Sequence, residues 1–489
     1  MAITHVVVSD LHLGAANSLL TNVQNDGTIA TGTPAPVLAA FGEALGSLLA
    51  GQPAPPTLVF AGDIFELALT PTSKACETFS DFIRMAFGGD RPMFAPDITY
   101  IAGNHDHHLW ELARQHQYVT YVASTPLGTP LIEDWHVTHL FPANDLLPHD
   151  DRFVVTLANR ATPDVGITVS QSYPNLGIVD PDGTRVVVVS HGHYTESIYR
   201  AMELLHAVLT PDRDDAESAW HIEGDNWAWV DFMWSTLGRS GDAGTDVSQF
   251  YEMLQSEQAM RDLAARVIDA VIERKGRTLR TRVEAWALRL ASRIVISKKM
   301  APERHHRDSP LSKDAERGLQ EYLRLAVAPQ LISELGRVPA SATFVFGHTH
   351  KPFARTTTVD GFANPVNVFN TGGWVIDSKD LNPLQGAAAI LIDDQQRVVA
   401  LDLYRQGDTA QVHVVSLADD SNDPDARAFA DSIRAAVAAD SHLWSTFSIV
   451  AAAEVTARRQ QLLTRIAADE ADIVGRARAV APRAPTGAA

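Results

Sequence analysis

Five times along the chain a short, nearly unbroken apolar run gives way at once to a cluster of Asp, His, Asn and Gly. The instances are THVVVSDLHLG from residue 4, TLVFAGDIFEL from 57, ITYIAGNHDHH from 98, RVVVVSHGHYTE from 185 and ATFVFGHTHKP from 342. Each run is too short for a typical helix, and its lack of polar alternation fits a strand covered on both faces. Between several of them lie segments with helical periodicity, such as PVLAAFGEALGSLLAG and SKACETFSDFIRMAFGG, each closed by glycine. Strands alternating with helices predict an α/β architecture containing much parallel sheet. In such sheets ligands bind beyond the carboxyl ends of the strands, where all five polar clusters would gather.

The pattern divides the chain into four parts. Residues 1–196 carry the first four clusters and predict the first part of a catalytic core. Residues 197–336 change to long helical patterns, including SAWHIEGDNWAWVDFMW and DVSQFYEMLQSEQAMRDLAARVIDAVIERKG, and predict a helical insertion placed to cap the site. Residues 337–418 resume the core with the fifth cluster and the strand-like runs VNVFNTGGW, AAAILIDD, RVVALDLYR and QVHVVSL, expected to complete a second sheet. Residues 419–489 predict an Ala-rich helical extension ending in a disordered tail, APRAPTGAA.

Composition narrows the function classes. At 489 residues the chain can bury a large core, and 45% hydrophobic with 20% charged residues is ordinary for a soluble globular protein. A net charge of -19 weighs against sequence-independent nucleic-acid binding, which neutralises phosphates with Lys and Arg. A local positive centre can still attract a phosphate, because screening acts over roughly 8 Å at physiological salt. The single cysteine, Cys76, cannot form an internal disulfide. Without a leader-like segment ahead of THVVVS, or an apolar stretch near the ~20 residues that span a bilayer, the expected location is cytoplasmic.

Asp10 and His12 lie two apart just past a strand and so point to one side, as do His348 and His350. Asp63, Asn104 and His191 follow three further strands. Each cluster alone is weak, since a GD after a strand is often only a turn. Five in order, each at a strand end, are harder to dismiss.

In this order DLH, GD, GNHD, HGH and GHTH resemble the signature of the calcineurin-like metallophosphoesterase superfamily, over about half the chain. The resemblance implies a two-sheet sandwich flanked by helices and a binuclear centre. Asp10, His12, Asp63 and His350 would hold one metal, and Asp63, Asn104, His191 and His348 the other, with Asp63 bridging. It further implies hydrolysis of a phosphomonoester, phosphodiester or pyrophosphate by a metal-bridging hydroxide, with His105 protonating the leaving alkoxide. Two divalent ions set against Asp10, Asp63 and hydroxide leave a formal charge of roughly +1, so the neutral His and Asn ligands keep the site attractive to phosphate. Mixed imidazole and carboxylate ligation suits Mn, Fe, Zn or Ni without distinguishing them, and Mn is the ion expected. Glu66 occupies the place where related enzymes carry an acidic residue orienting this histidine, and Asp106 is the other candidate partner.

Other residues invite blander readings. His107 and His108 fall in the first turn of the helix starting near His107, His136 and His139 on a strand-like run, and His193 and Thr195 beside His191, where stabilising a loop and touching substrate stand as alternatives. Trp220, Trp227, Trp229 and Trp234 fit the insertion's own core better than a lipid surface. A basic stretch from Arg274 to Lys299 suits a solvated helix face, or contact with an anionic membrane. SDLHLG and GDIFEL also resemble the UDP-2,3-diacylglucosamine pyrophosphatases, which typically carry Arg where this chain has His105. The expectation is a metal-dependent phosphoric ester hydrolase acting on a small or lipid-linked phosphate. The alternatives are a lipid pyrophosphatase of that type, a nuclease, or a non-catalytic metal-binding scaffold.

Overall fold

In the computed structural model the described residues are 2–24, 26–132, 135–145, 151–203, 206, 218–236, 303, 306–376, 378, 380–407, 411–417 and 423–480, the side chains of 465–480 excepted. They form a mixed α/β fold around two mixed sheets. The strands in chain order are β1 (Ile3–Val8), β2 (Thr57–Ala61), β3 (Asp97–Ile101), β4 (Thr168–Gln171), β5 (Asn175–Val179), β6 (Arg185–Ser190), β7 (Ser341–Phe346), β8 (Phe353–Thr357), β9 (Val366–Asn370), β10 (Gly386–Asp393), β11 (Val398–Arg405) and β12 (His413–Val415). Seven strands make one sheet in the order β12-β11-β10-β1-β2-β3-β4, and five make the other in the order β5-β6-β7-β9-β8. β1 to β4 run parallel, as do β6, β7 and β9. All five polar clusters follow the carboxyl ends of parallel strands.

The unbroken apolar runs have a direct cause. Val7, Val59 and Ile101 of the first sheet share a buried cluster with Val187, Val189 and Val345 of the second, while Val6, Val8, Phe60, Val186 and Val188 belong to the larger core. Both faces of these strands are therefore apolar. Helices α1 (Pro36–Ala50), α2 (Thr72–Phe87), α3 (His107–Ser124) and α4 (Arg152–Ala161) occupy connections in the first part. Pro36 opens α1, and the Asp151 side chain caps α4 by accepting from Val154 N.

Two expectations need correction. The runs after residue 385 do not complete a second sheet: β10 pairs antiparallel with β1, and β11 and β12 continue outward from it. β10 is buried along its whole length, and the free edge of β1 receives it. The strand-like DWHVTHLF contains no strand among its described residues. Its backbone donors go elsewhere: Glu334 receives Leu140 N and Phe141 N, Asp145 receives His139 N, and Tyr173 O receives Thr138 N.

Within the insertion the described parts include α5 (Ala219–Val230), a π-turn at Asp231–Thr236, and the run from α6 (Lys313–Tyr322) to α7 (Ala328–Leu335). The basic stretch 274–299, the helical pattern 246–276 and the tail 481–489 lie outside the described residues. The C-terminal helices α8 (Pro424–Ala439) and α9 (Ser441–Val480) pack on the core: Trp444, Phe447, Ala451 and Val455 join its main cluster, with the Phe447 ring 6.0 Å from Phe41. Among the described residues, no helix is long and apolar enough to cross a membrane.

Candidate metal centre

Past β1, β2 and β7 the backbone turns sharply at ligand-type residues. Asp10, His12, Asp63, His348 and His350 have φ between 44° and 68°, and among the described non-glycine residues only Gln396 shares that left-handed region. Such a conformation is costly for residues with a Cβ and persists where the surroundings over-determine it. Here backbone bonds between the loops do so: Asp10 N donates to Gly62 O, His12 N to Asp63 O, and Gly347 N to His191 O, all at 2.9 Å. Close approach completes the cradle. A Cβ on Gly103 would lie 2.2 Å from Asp63 Oδ1, and one on Gly347 2.1 Å from Asp10 Oδ2.

The side chains converge in two overlapping groups. In one, His350 Nε2 lies 3.3 Å from Asp10 Oδ1 and 3.4 Å from His12 Nε2, which is itself 3.7 Å from Asp63 Oδ2. In the other, His191 Nε2 lies 3.4 Å from Asp63 Oδ2 and 3.0 Å from Asn104 Oδ1, and a ligand atom of His348 falls within 4.8 Å of both Asp63 and His191. Asp63 belongs to both. All seven residues named as ligands from the sequence thus meet in one place, each at most 3% exposed.

These donors suit divalent ions. Lone pairs of imidazole nitrogens and carboxylate oxygens from non-adjacent residues face one another at 3.3–3.7 Å, an arrangement better satisfied by a shared cation than by one another. Burial alone would raise the Asp63 carboxyl, but the imidazoles of His191, His105 and His12 outweigh it and hold the group well below the usual carboxylate range. Burial likewise works against charge on His191, whose pKa Asp63 and Asp10 nonetheless raise to about 9.

Glu66 serves two histidines. Its Oε2 lies 3.0 Å from His12 Nδ1 and its Oε1 2.9 Å from His105 Nδ1, and Oε1 also accepts from Ala68 N and Leu69 N. Asp106, the other candidate partner for His105, is turned to the backbone. It accepts from Gly103 N, Ile64 N, Phe65 N and the Tyr100 hydroxyl, pinning the loop after β3 to the loop after β2. Asp106 therefore holds the scaffold on which Asp63 and Asn104 sit. His105 N donates to Asp63 Oδ1 at 2.7 Å.

His107 and His108 face the insertion. His107 Nε2 lies 2.9 Å from Glu223 Oε1 and Nδ1 3.7 Å from Asp231 Oδ1, while His108 Nδ1 lies 3.2 Å from Asp231. Burial disfavours charge on His107, yet Glu223 and Asp231 raise its pKa to about 10. His107, Glu111 and Glu223 are themselves close enough to hold an ion. Arg114 bonds Glu111 at 2.7 Å, however, so two cations of the chain already answer the two glutamates. Ser235 Oγ donates to Asn104 O at 3.2 Å and accepts from His108 N, so the insertion touches the GNHD loop directly.

Of the remaining histidines, His193 is buried with Nε2 3.3 Å from the Tyr173 hydroxyl, and burial with the adjacent His191 and His348 holds its pKa well below normal. Thr195 Oγ1 donates to Gly192 O and closes that loop. His136 Nδ1 lies 3.2 Å from Arg114, and His139 Nδ1 2.9 Å from Asp145. Trp229 and Trp234 pack together with rings 5.6 Å apart, whereas Trp220 is 39% exposed.

Sequence reasoning missed Glu196, whose Oε1 lies 2.8 Å from His348 Nε2, as well as Glu223, Asp231 and Ser235. Only Glu196 had a local signal, as the acid ending HGHYTE. No protein-family model matches the chain, and no curated protein matches it.

Proposed function

We propose that the chain is a two-metal phosphoesterase of the calcineurin-like metallophosphoesterase superfamily, hydrolysing a phosphate ester or pyrophosphate bond of a small molecule. One observation carries this reading. Five ligand-type residues are held in left-handed backbone at the ends of parallel strands from both sheets, around a shared Asp63. Asp10, His12, Asp63 and His350 would hold one ion and Asp63, Asn104, His191 and His348 the other, a ligand set that suits Mn, Fe, Zn or Ni. When bound, such ions supply Lewis acidity toward phosphoryl oxygens and toward water.

The chain's own groups do the rest. Glu66 receives His105 Nδ1 and so fixes the imidazole with Nε2 as the proton-delivering atom. A proton held there passes to the departing alkoxide, and the ring then recovers one from water. Glu66, held by two backbone N–H groups, stays ionised, because the imidazoles of His105 and His12 overcome its burial and lower its pKa, and so stands ready to balance a charge on His105. His105 N, bonded to Asp63, keeps the acid in register with the ligand both ions would share. The burial of all seven ligands favours a small or lipid-linked ester over a duplex backbone, as does the net charge of -19.

The test pairs two variants assayed on p-nitrophenyl phosphate, bis-p-nitrophenyl phosphate and a nucleotide-sugar pyrophosphate with Mn. Asp63→Asn is expected to lose metal and turnover together. His105→Ala is expected to keep metal and lose about 10²- to 10⁴-fold in kcat. Wild-type turnover in both variants, or a wild-type protein that binds metal but turns over none of the esters, refutes the reading.

A further inference from the structure

We propose that Glu196 is a positioning residue for the second half of the metal centre, selecting Nδ1 of His348 as its ligand atom. The inference rests on the two-ion reading above. An imidazole that ligates through one nitrogen needs a partner for the other, and that partner sets both tautomer and ring orientation. The site follows this rule twice: His12 gives Nδ1 to Glu66 and His191 gives Nδ1 to Ala61 O, so both turn Nε2 toward Asp63. His348 is turned the other way. Its Nε2 lies 2.8 Å from Glu196 Oε1, close enough to pair though not aligned as a hydrogen bond, which leaves Nδ1 for the site.

The surroundings hold that reversed ring in place. His348 N donates to both oxygens of Asp10 at 3.0 Å, and the Tyr199 ring stands edge-on to the imidazole with centroids 4.8 Å apart. Glu196 is itself anchored by a second glutamate of the insertion. Glu303 N donates to Glu196 Oε2 at 3.4 Å, and the buried Lys351, three residues past His348, donates to Glu303 O at 2.7 Å. Glu196, at the start of the insertion, and Glu303, within it, thus both bear on the GHTHK loop. The insertion thereby takes part in building the site it borders.

The experiment titrates metal-free wild type, Glu196→Ala and Glu196→Gln with Mn by calorimetry, and with Co by following its d–d absorption. In Glu196→Ala the second equivalent is expected to bind about 10- to 100-fold more weakly, with the first equivalent unchanged. Glu196→Gln, which keeps an oxygen near Nε2, is expected to recover part of the loss, and the absorption of the second Co equivalent is expected to shift in both variants. Wild-type affinity for both equivalents in either variant, or equal weakening of both, overturns the proposal. If Glu196→Ala does not fold, Glu196→Gln decides alone by the same criterion. A wild type that binds no ion overturns the two-ion reading and this proposal together, whereas two ions bound alike by wild type and variants overturn this proposal alone.

Discussion

Replacing Glu223 by Gln isolates the charge that joins the insertion to the core. Glu223 and His107 are both fully buried and meet at 2.9 Å, and Glu223 Oε2 accepts from the hydroxyls of Tyr173 and Tyr194. Gln keeps the volume and an acceptor for the tyrosines, so the variant removes little besides the negative charge. His107 then keeps Asp231 at 3.7 Å, and Glu111, already paired with Arg114, as acidic neighbours. Breaking a buried pair from one side typically costs about 3–5 kcal/mol. The rise in the His107 pKa from 6.5 to about 10 corresponds to about 5 kcal/mol as an upper bound. Because the folded-state pKa is raised, this stabilisation is complete below the unfolded value near 6.5 and is lost as pH climbs toward 10. Urea unfolding of wild type and Glu223→Gln at pH 6, 7.5 and 9 measures both the size and the slope. The expected result is a loss of about 3 kcal/mol or more at pH 6 that shrinks toward pH 9. A variant within about 0.5 kcal/mol of wild type at pH 6, or parallel pH dependence in the two proteins, would refute the assignment of a charged His107–Glu223 pair.

Two further outcomes bear on the metal centre. Gly103→Ala places a methyl group against Asp63 Oδ1 and is expected to abolish metal uptake while leaving a folded protein, checked by metal analysis beside circular dichroism. Chelation should lower the melting temperature of wild type, because ions that bind only the folded state stabilise it by mass action, and should leave that of Asp63→Asn unmoved. Equal shifts in the two proteins would show that the chelator acts elsewhere.

The strand-end clusters were legible because each couples a local pattern to a fixed direction of the chain. An apolar run buried on both faces ends where the sheet ends, and the polar residue that follows has nowhere to point but over that edge. Spacing alone could not show the left-handed turns at Asp10 or His348. Those follow from tertiary bonds between loops that lie from about fifty residues apart, for Asp10 and Gly62, to more than three hundred, for His348 and Asp10. The placement of β10 beside β1 was illegible for a related reason: an all-apolar strand fits either sheet, and only the vacant edge of β1 decides. The division of labour between Glu66 and Asp106 was foreshadowed by sequence, since a residue adjacent to His105 points away from it, but the five donors that occupy Asp106 were not. Glu223 and Asp231 lay in a segment whose tryptophans drew attention from its acids.

The split of ligands between the two sheets has a consequence for the order of events during synthesis. Asp10, His12, Asp63 and Asn104 leave the ribosome early, whereas His348 and His350 follow more than two hundred residues behind Asn104. β10, which flanks β1, comes later still. A nascent chain can assemble β1 to β4 and yet present only part of the ligand set, two carboxylates with one imidazole and one amide. Under the two-ion reading, the full ligand set is assembled only after both sheets have closed, so loading of the second ion would follow synthesis of His348 and His350.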